Sequence, residues 1–225
     1  MDRLIFLKII MVSILFSNCS DLNIEDDNYS IPFKKLSFEE TGIDFSNTIT
    51  PNLETKENLF DYDYFYNGSG VGIADINNDG LKDVFFTSNQ SPNKLYLNKG
   101  ELKFEDITEK SNINQNKGWS SGVTFADVNN DGWLDIYISQ GGPFNRTKRK
   151  NTLLINNKDL TFTENASLYG LDDQGISTQS AFFDFDKDGD LDCVVMNENE
   201  FYGYDPLTFF KRLYHNKTIL MQNSS

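Results

Sequence analysis

Histidine is almost missing from this sequence. His215 is the single one in 225 residues. Nothing marks a nucleophile beside it, so a Ser-His-Asp relay has no material; we read it as a strand or turn residue. Cysteine is nearly as scarce, with two residues, Cys19 and Cys193. If Cys19 is modified at the N-terminus, one thiol remains and no intrachain disulfide framework can form. Cys193 stands in the apolar run Asp192–Met196 and reads as a buried, inert thiol. Proline is held to five residues, which suits an all-β chain of short strands and tight turns. Basic residues are outnumbered, 20 Lys and Arg against 34 Asp and Glu, for a formal charge of −14. That balance is unsuited to non-specific nucleic-acid binding, and no nucleic-acid partner is expected. Beyond the N-terminus no segment is apolar for long enough to span a bilayer.

What the chain has in quantity is one nine-residue pattern, present three times. The copies are Asp75-Ile76-Asn77-Asn78-Asp79-Gly80-Leu81-Lys82-Asp83, Asp127-Val128-Asn129-Asn130-Asp131-Gly132-Trp133-Leu134-Asp135 and Asp184-Phe185-Asp186-Lys187-Asp188-Gly189-Asp190-Leu191-Asp192. Each places an oxygen-bearing side chain at positions 1, 3, 5 and 9 and Gly at position 6. Ca²⁺ is a hard cation that takes roughly 6–8 oxygen ligands, and alternating Asp and Asn in a tight loop supply most of them. Glycine permits the positive φ that turns the loop back around an ion. The backbone carbonyls of Leu81, Trp133 and Asp190, with water, would complete each shell. Three structural Ca²⁺ sites are expected. An EF-hand is excluded, because it requires a bidentate Glu at position 12 and flanking helices. Position 12 is Phe86, Ile138 and Val195.

The flanks are strand-like. Asp83–Thr87, Asp135–Ser139 and Asp192–Met196 are rich in β-branched and aromatic residues, as are the runs before each loop. Each loop is therefore a hairpin. A third strand is expected at Asn93–Asn98 and Asn151–Asn156, and a fourth at Leu102–Thr108 and Leu160–Glu164. The loops recur every fifty to sixty residues or so, and four antiparallel strands per repeat make a propeller blade. The fold class is all-β: a partial β-propeller of about three four-stranded blades. Repeats are placed at about 66–112, 119–169 and 176–225. Leu36-Ser37-Phe38-Glu39-Glu40 is expected to be an orphan fourth strand that pairs with the last blade. In the third repeat Arg212–Asn216 resembles a third strand and no fourth follows, so the chain reads as the N-terminal piece of a longer protein. The alternative is a small open array of sheets that dimerises to cover its end.

Residues 1–18 form an address. Arg3 and Lys8 precede the apolar Ile9–Phe16, too short for a comfortable membrane span, and the stretch ends at Cys19. It resembles a bacterial lipoprotein signal, whose first mature residue is a lipid-modified Cys; the alternative is an ordinary signal peptide with Cys19 incidental. Residues 19–34 read as an acidic flexible tether, and 35–225 as the incomplete propeller. An outer-membrane or cell-surface lipoprotein of a Gram-negative bacterium is expected, held through a lipid anchor on Cys19.

Tyr66–Asp75, Asn93–Asn98, Phe104–Thr108, Trp119–Val123 and Phe182–Asp192 together resemble the FG-GAP/VCBS repeat family, whose propellers include the head of integrin α subunits. The nearest branch is bacterial and secreted, and often carries a C-terminal ASPIC/UnbV domain. The resemblance implies a calcium-stabilised propeller in a binding or adhesion role, with an extracellular protein or glycan as ligand.

Other candidates are weaker. Phe60–Tyr66 alternates aromatic and acidic residues, either to stack on sugars or, in the preferred reading, as a strand packing one face inward. Arg146-Thr147-Lys148-Arg149-Lys150 is read as a solvated loop, its rival being contact with phosphate or acidic glycan. Glu39, Glu40, Asp61 and Asp63 could furnish a glycosidase-type carboxylate pair, the less favoured choice. The expected function is non-enzymatic binding. The alternative is the N-terminal part of an extracytoplasmic polysaccharide-active enzyme built on a propeller.

Overall fold

Every β-branched and aromatic run beside a loop becomes a strand. A computed structural model of the chain describes residues 33–114, 118–143 and 148–198. The chain divides into Met1–Lys35 and Leu36–Ser225, and all elements named below belong to the second unit. The first blade is β1 (Val71–Ala74), β2 (Asp83–Phe86), β3 (Lys94–Asn98) and β4 (Phe104–Asp106), in that spatial order and antiparallel throughout. The second repeats it with β5 (Trp119–Ala126), β6 (Asp135–Gly141), β7 (Thr152–Asn156) and β8 (Phe162–Glu164). Of the third, β9 (Ile176–Phe183) and β10 (Asp192–Glu198) are described. Cys19, His215, the signal peptide and the third strand expected at Arg212–Asn216 lie outside the described residues. Among the described residues no helix is long and apolar enough to cross a membrane.

The blades stack face to face through side chains of alternating direction. On β6 and β7, Ile136, Ile138 and Leu154 join Phe85, Leu95 and Leu97 of the first blade in one core. Tyr137 and Leu153, one residue out of step, join Cys193 and Val195 of the third. Both faces of β6 are thus covered, which is why all of it is buried, its apolar centre Ile136–Ile138 and its polar ends alike. Each fully buried aliphatic or aromatic side chain contributes roughly 1.5–3 kcal/mol. Cys193 is a free, buried thiol, and burial pushes its pKa up to about 12, as expected of an inert packing residue.

Leu36–Glu40 is not a strand. Ser37 and Glu40 form a capping box, in which the Glu40 N–H donates to Ser37 Oγ and the Ser37 N–H to the Glu40 carboxylate. That box starts a short helix, α1 (Phe38–Thr41), because it satisfies N–H groups that a helix start otherwise leaves open. Among the described residues the segment packs on the first blade. Gly42 lies so close to β4 that a Cβ there would sit 2.5 Å from the Phe104 carbonyl oxygen, and Lys103 donates to the carbonyls of Glu39 and Glu40. The following residues strap the open face of the first blade. Asp44 accepts from the Tyr96 hydroxyl at 2.7 Å, and Phe45 stacks on Phe86 with centroids 4.6 Å apart.

Phe60–Tyr66 is a run of turns, not a strand. Asn58 organises it, accepting from the N–H groups of Phe60 and Asp61 and donating to Asp61. Tyr62 and Phe65, three apart, then face inward against Trp119 and Ile176, and Phe60 points out. The basic run is only partly solvated. Lys148 is exposed, but Arg149 is buried and Lys150 Nζ bridges Asp172 at 2.7 Å. Glu40 and Asp61, offered as candidate acids, both serve these local caps.

Glycine marks where inner strands of neighbouring blades converge. A Cβ on Gly72 would sit 2.5 Å from the Phe125 ring, and one on Gly122 2.4 Å from the Thr178 carbonyl oxygen. The second neighbour is backbone and cannot rotate away. Gly122→Ala should therefore cost about 1–3 kcal/mol by overpacking, a fall in melting temperature of roughly 2–4 °C per kcal/mol. An unchanged melt would mean that the blades separate freely.

Candidate metal centre

Each loop is shaped by backbone N–H groups donating to Asp and Asn side chains. In the first, the Asp79 N–H is shared between Asp75 Oδ1 at 3.1 Å and Asn77 Oδ1 at 3.2 Å. Gly80 N–H donates to Asp75 Oδ2 and Leu81 N–H to Asp79 Oδ1, both at 2.8 Å. The second loop repeats every bond. Asp131 N–H is shared by Asp127 and Asn129, Gly132 donates to Asp127, and Trp133 to Asp131. The third keeps the frame with one change: Lys187 and Gly189 donate to Asp184, and Asp190 N–H to Asp188. Positions 1, 3 and 5 are thereby drawn to one point. Oxygens of Asp184, Asp186 and Asp188 all lie within 4.8 Å of one another.

Two residues per loop take a positive φ. Position 6 is Gly80, Gly132 and Gly189, at 85°, 84° and 97°. Position 4 is Asn78, Asn130 and Lys187, at 58°, 55° and 65°. The sequence reading assigned a turn role to the glycine alone. Asparagine at position 4 was a usable signal, since its short polar side chain tolerates this region. Lys187 does so less readily.

Position 9 is different in kind. Asp83, Asp135 and Asp192 are 1%, 1% and 3% exposed, at the foot of each hairpin. Asp83 Oδ2 accepts from the Ile76 N–H at 3.0 Å and Oδ1 from the Asn98 N–H at 2.8 Å. Asp135 accepts from Val128 and Asn156 in the same way, and Asp192 from Phe185. Each such carboxylate ties the loop's second residue to its own strand, and in the first two blades to the end of the third strand as well. Asn98 and Asn156 were read only as strand ends. Their recurrence after Leu95-Tyr96-Leu97 and Leu153-Leu154-Ile155 was the available sign of a further role. Asn98 Nδ2 donates to the Lys82 carbonyl and Asn156 Nδ2 to that of Leu134, so each side chain also secures its loop.

The electrostatics follow the burial. Desolvation pushes the Asp135 pKa up to about 6, with Asp131 and Asp127 adding repulsion against the N–H groups that hold it down. Asp83 is raised by burial likewise. Asp79 is held below the usual range by the Leu81 N–H and the Asn77 side chain. In the third loop the adjacent Asp188 and Asp190 side chains push their pKa values apart, the first down and the second up. Lys158 Nζ lies 3.3 Å from Asp131 Oδ2, so a cation already sits beside position 5 of the second loop.

A hard divalent cation fits this donor set. Among the described residues the donors are carboxylate and amide oxygens, with no thiol or imidazole among them. Oxygen ligation on a flexible loop suits Ca²⁺ better than Mg²⁺, which demands near-ideal octahedral geometry. Asp75, Asn77 and Asp79 and their counterparts would hold the ion. The position-9 carboxylates keep lone pairs free, since each oxygen with a partner uses one.

A family profile described as "FG-GAP-like repeat" matches residues 75–138. This span runs from the first residue of the first loop to just past the second. Residues 75–138 are thus similar to an FG-GAP-like repeat. Cartilage acidic protein 1 of Xenopus tropicalis is 29% identical over 169 residues, covering 74% of this chain and 25% of that protein. Cartilage acidic protein 1 of Homo sapiens is 32% identical over 77 residues, covering 34% of this chain and 12% of that protein. The chain thus spans about a quarter or less of the curated relatives it matches. The two four-stranded antiparallel sheets are the expected all-β propeller blades.

The two strand-end asparagines make unequal latches. Asn156 is buried and its amide serves two carbonyls, Leu134 and Ile76; the Asn98 amide serves one, at the surface. Losing a buried partner costs about 1–3 kcal/mol for each stranded group. Asn156→Ala should lower stability by at least about 2 kcal/mol and Asn98→Ala by about 1 or less, read from chemical denaturation in chelator. Equal losses would remove the distinction.

Proposed function

We propose that this chain is part of a calcium-stabilised, propeller-like extracellular module that binds a protein or glycan and performs no catalysis. The observation that carries the reading is the threefold recurrence of one oxygen-lined loop in which the position-6 glycine N–H donates to the position-1 carboxylate. The FG-GAP-like match across two of the loops supports it. In this reading three Ca²⁺ ions are structural. Each pins a hairpin, so that the opposite ends of the strands and their connections can present a rigid surface. Mass action makes such an ion stabilising, because it binds the folded loop and not the unfolded chain.

The calcium part is tested by melting the full chain in EGTA and in Ca²⁺ across pH. The midpoint should rise with Ca²⁺, and identical midpoints would overturn the reading. The increment should also grow from pH 5 to pH 7. Without metal, the raised pKa of Asp135, about 6, means that its proton favours the folded state. That contribution is complete below the unfolded value of about 3.9 and is lost as pH rises through the folded one. A cation replaces the proton, so it is worth most where the proton has left. An increment independent of pH would contradict this.

Anchoring is a second part of the proposal. Arg3, Lys8 and the apolar Ile9–Phe16 before Cys19 support an exported lipoprotein, on the outer membrane or surface of a Gram-negative cell. Acylation contributes about 0.8 kcal/mol per buried CH₂, enough in a multiply acylated N-terminus to retain the protein. Cys19→Ala should lose both fatty-acid label and membrane fractionation. A labelled, membrane-bound variant would defeat the lipoprotein assignment and leave the calcium argument untouched.

A further inference from the structure

We propose that Asn156 couples the first two loops, so that a cation bound in one raises the affinity of the other. The proposal rests on the calcium reading above and concerns what joins the sites. A continuous run of hydrogen bonds connects the two position-9 carboxylates. Asp83 Oδ2 accepts from the Ile76 N–H at 3.0 Å. The carbonyl of the same Ile76 accepts from Asn156 Nδ2 at 2.8 Å. The Asn156 N–H donates to Asp135 Oδ1 at 2.9 Å, and Asp135 Oδ2 accepts from the Val128 N–H at 3.0 Å. Ile76, Asp83, Asp135 and Asn156 are all buried, so these bonds are shielded from competing water and polarise one another.

A second bridge runs at the surface. Asn78 Nδ2, at position 4 of the first loop, donates to the carbonyl of Gly132, at position 6 of the second, at 3.0 Å. Both residues it joins carry the positive φ on which the loops turn. The two loops therefore share contacts at their base and at their rim. The third loop has no part in this chain of bonds. Asn98, the counterpart of Asn156 in the first blade, keeps its amide on its own loop, at the Lys82 carbonyl.

The coupling has a physical cause in ordering. A cation in the first loop fixes Asp83 and hence the 76 peptide. That carbonyl orients the Asn156 side chain, whose N–H positions Asp135. The first ion bears the cost of ordering the shared residues, and the second meets a loop already set. By linkage the effect is reciprocal, and couplings of this sort amount to about five-fold or more in affinity.

Tb³⁺ tests this, because Trp133 sits in the second loop and can sensitise its luminescence there. The full chain is titrated with Tb³⁺ under tryptophan excitation, and loss of the signal in Trp133→Phe assigns it to the second loop. Asp79→Ala removes an exposed donor from the first loop and lies off the bridging bonds. It should weaken Tb³⁺ binding at the second loop about five-fold or more, and Asp188→Ala in the third loop should leave it unchanged. With Asn156→Ala in place, Asp79→Ala should have no further effect. Asn156→Ser, which keeps the backbone N–H but cannot span both carbonyls, substitutes if the alanine variant does not fold. An unchanged second-loop affinity in Asp79→Ala overturns the coupling and leaves the calcium reading standing. An Asp79→Ala effect that survives in the Asn156 variants overturns the role of Asn156. Absence of sensitised luminescence in the unaltered protein overturns both.

Discussion

A buried carboxylate at the foot of each hairpin is the contact on which the rest of this structure depends. Asp83, Asp135 and Asp192 each accept the N–H of the residue that follows the loop's first ligand position. This bond closes the loop across its base, so the remaining residues have only one way to turn. Positions 1, 3 and 5 then converge because successive N–H groups in the turn need acceptors, and Asp and Asn side chains supply them. The donor cluster follows from ordinary backbone satisfaction. In the proposed calcium reading a cation would meet a turn that these bonds have started and would fix the shared residues at its base.

The same economy holds the blades together. The two ends of β7 carry asparagines that reach in opposite directions. At its start, Asn151 donates to Ser177 of the third blade and to the Tyr137 hydroxyl, and accepts from the Gln140 N–H. At its end, Asn156 reaches Ile76 of the first blade. Apolar packing between blades is non-directional and would tolerate sliding. Buried amides with fixed partners do not, since a displaced one would strand two polar groups. The second blade is thus registered at both ends against both neighbours.

Much of this was legible in the sequence, and the misses have specific causes. The strands flanking the loops were readable because β-branched and aromatic residues crowd them, most densely in β6, which is buried on both faces. The three loops were readable because oxygen ligands at fixed spacing have few other uses. Leu36–Glu40 was misread because Phe38 invited comparison with Phe104 and Phe162, and the Ser37/Glu40 capping box was passed over. Phe60–Tyr66 was misread because alternation of aromatics imitates a strand, whereas Asn58 closes the chain into turns and buries residues three apart. Arg149 looked solvated within a basic run, yet it is buried. Asn156 could not have been assigned from spacing alone. Its decisive partner, Ile76, is eighty residues away, and only the packing of two blades brings them together.

The loops also show how so acidic a chain folds before any metal arrives. Like charges in one turn repel, and each loop relieves that repulsion with what lies at hand. Backbone N–H groups point at the carboxylates. Lys158 stands against Asp131. The Asp190 N–H donates to Asp188. Burial raises Asp83 and Asp135 towards the neutral form. Each of these devices is a partial substitute for positive charge, and each is weaker than a divalent ion held by several oxygens. In the calcium reading proposed above, a cation would take the place of a proton or an ammonium group and would complete the ordering that these devices begin. On that reading the loops are suited to stiffening a scaffold, because the free energy of binding would go into holding hairpins at the edge of each blade.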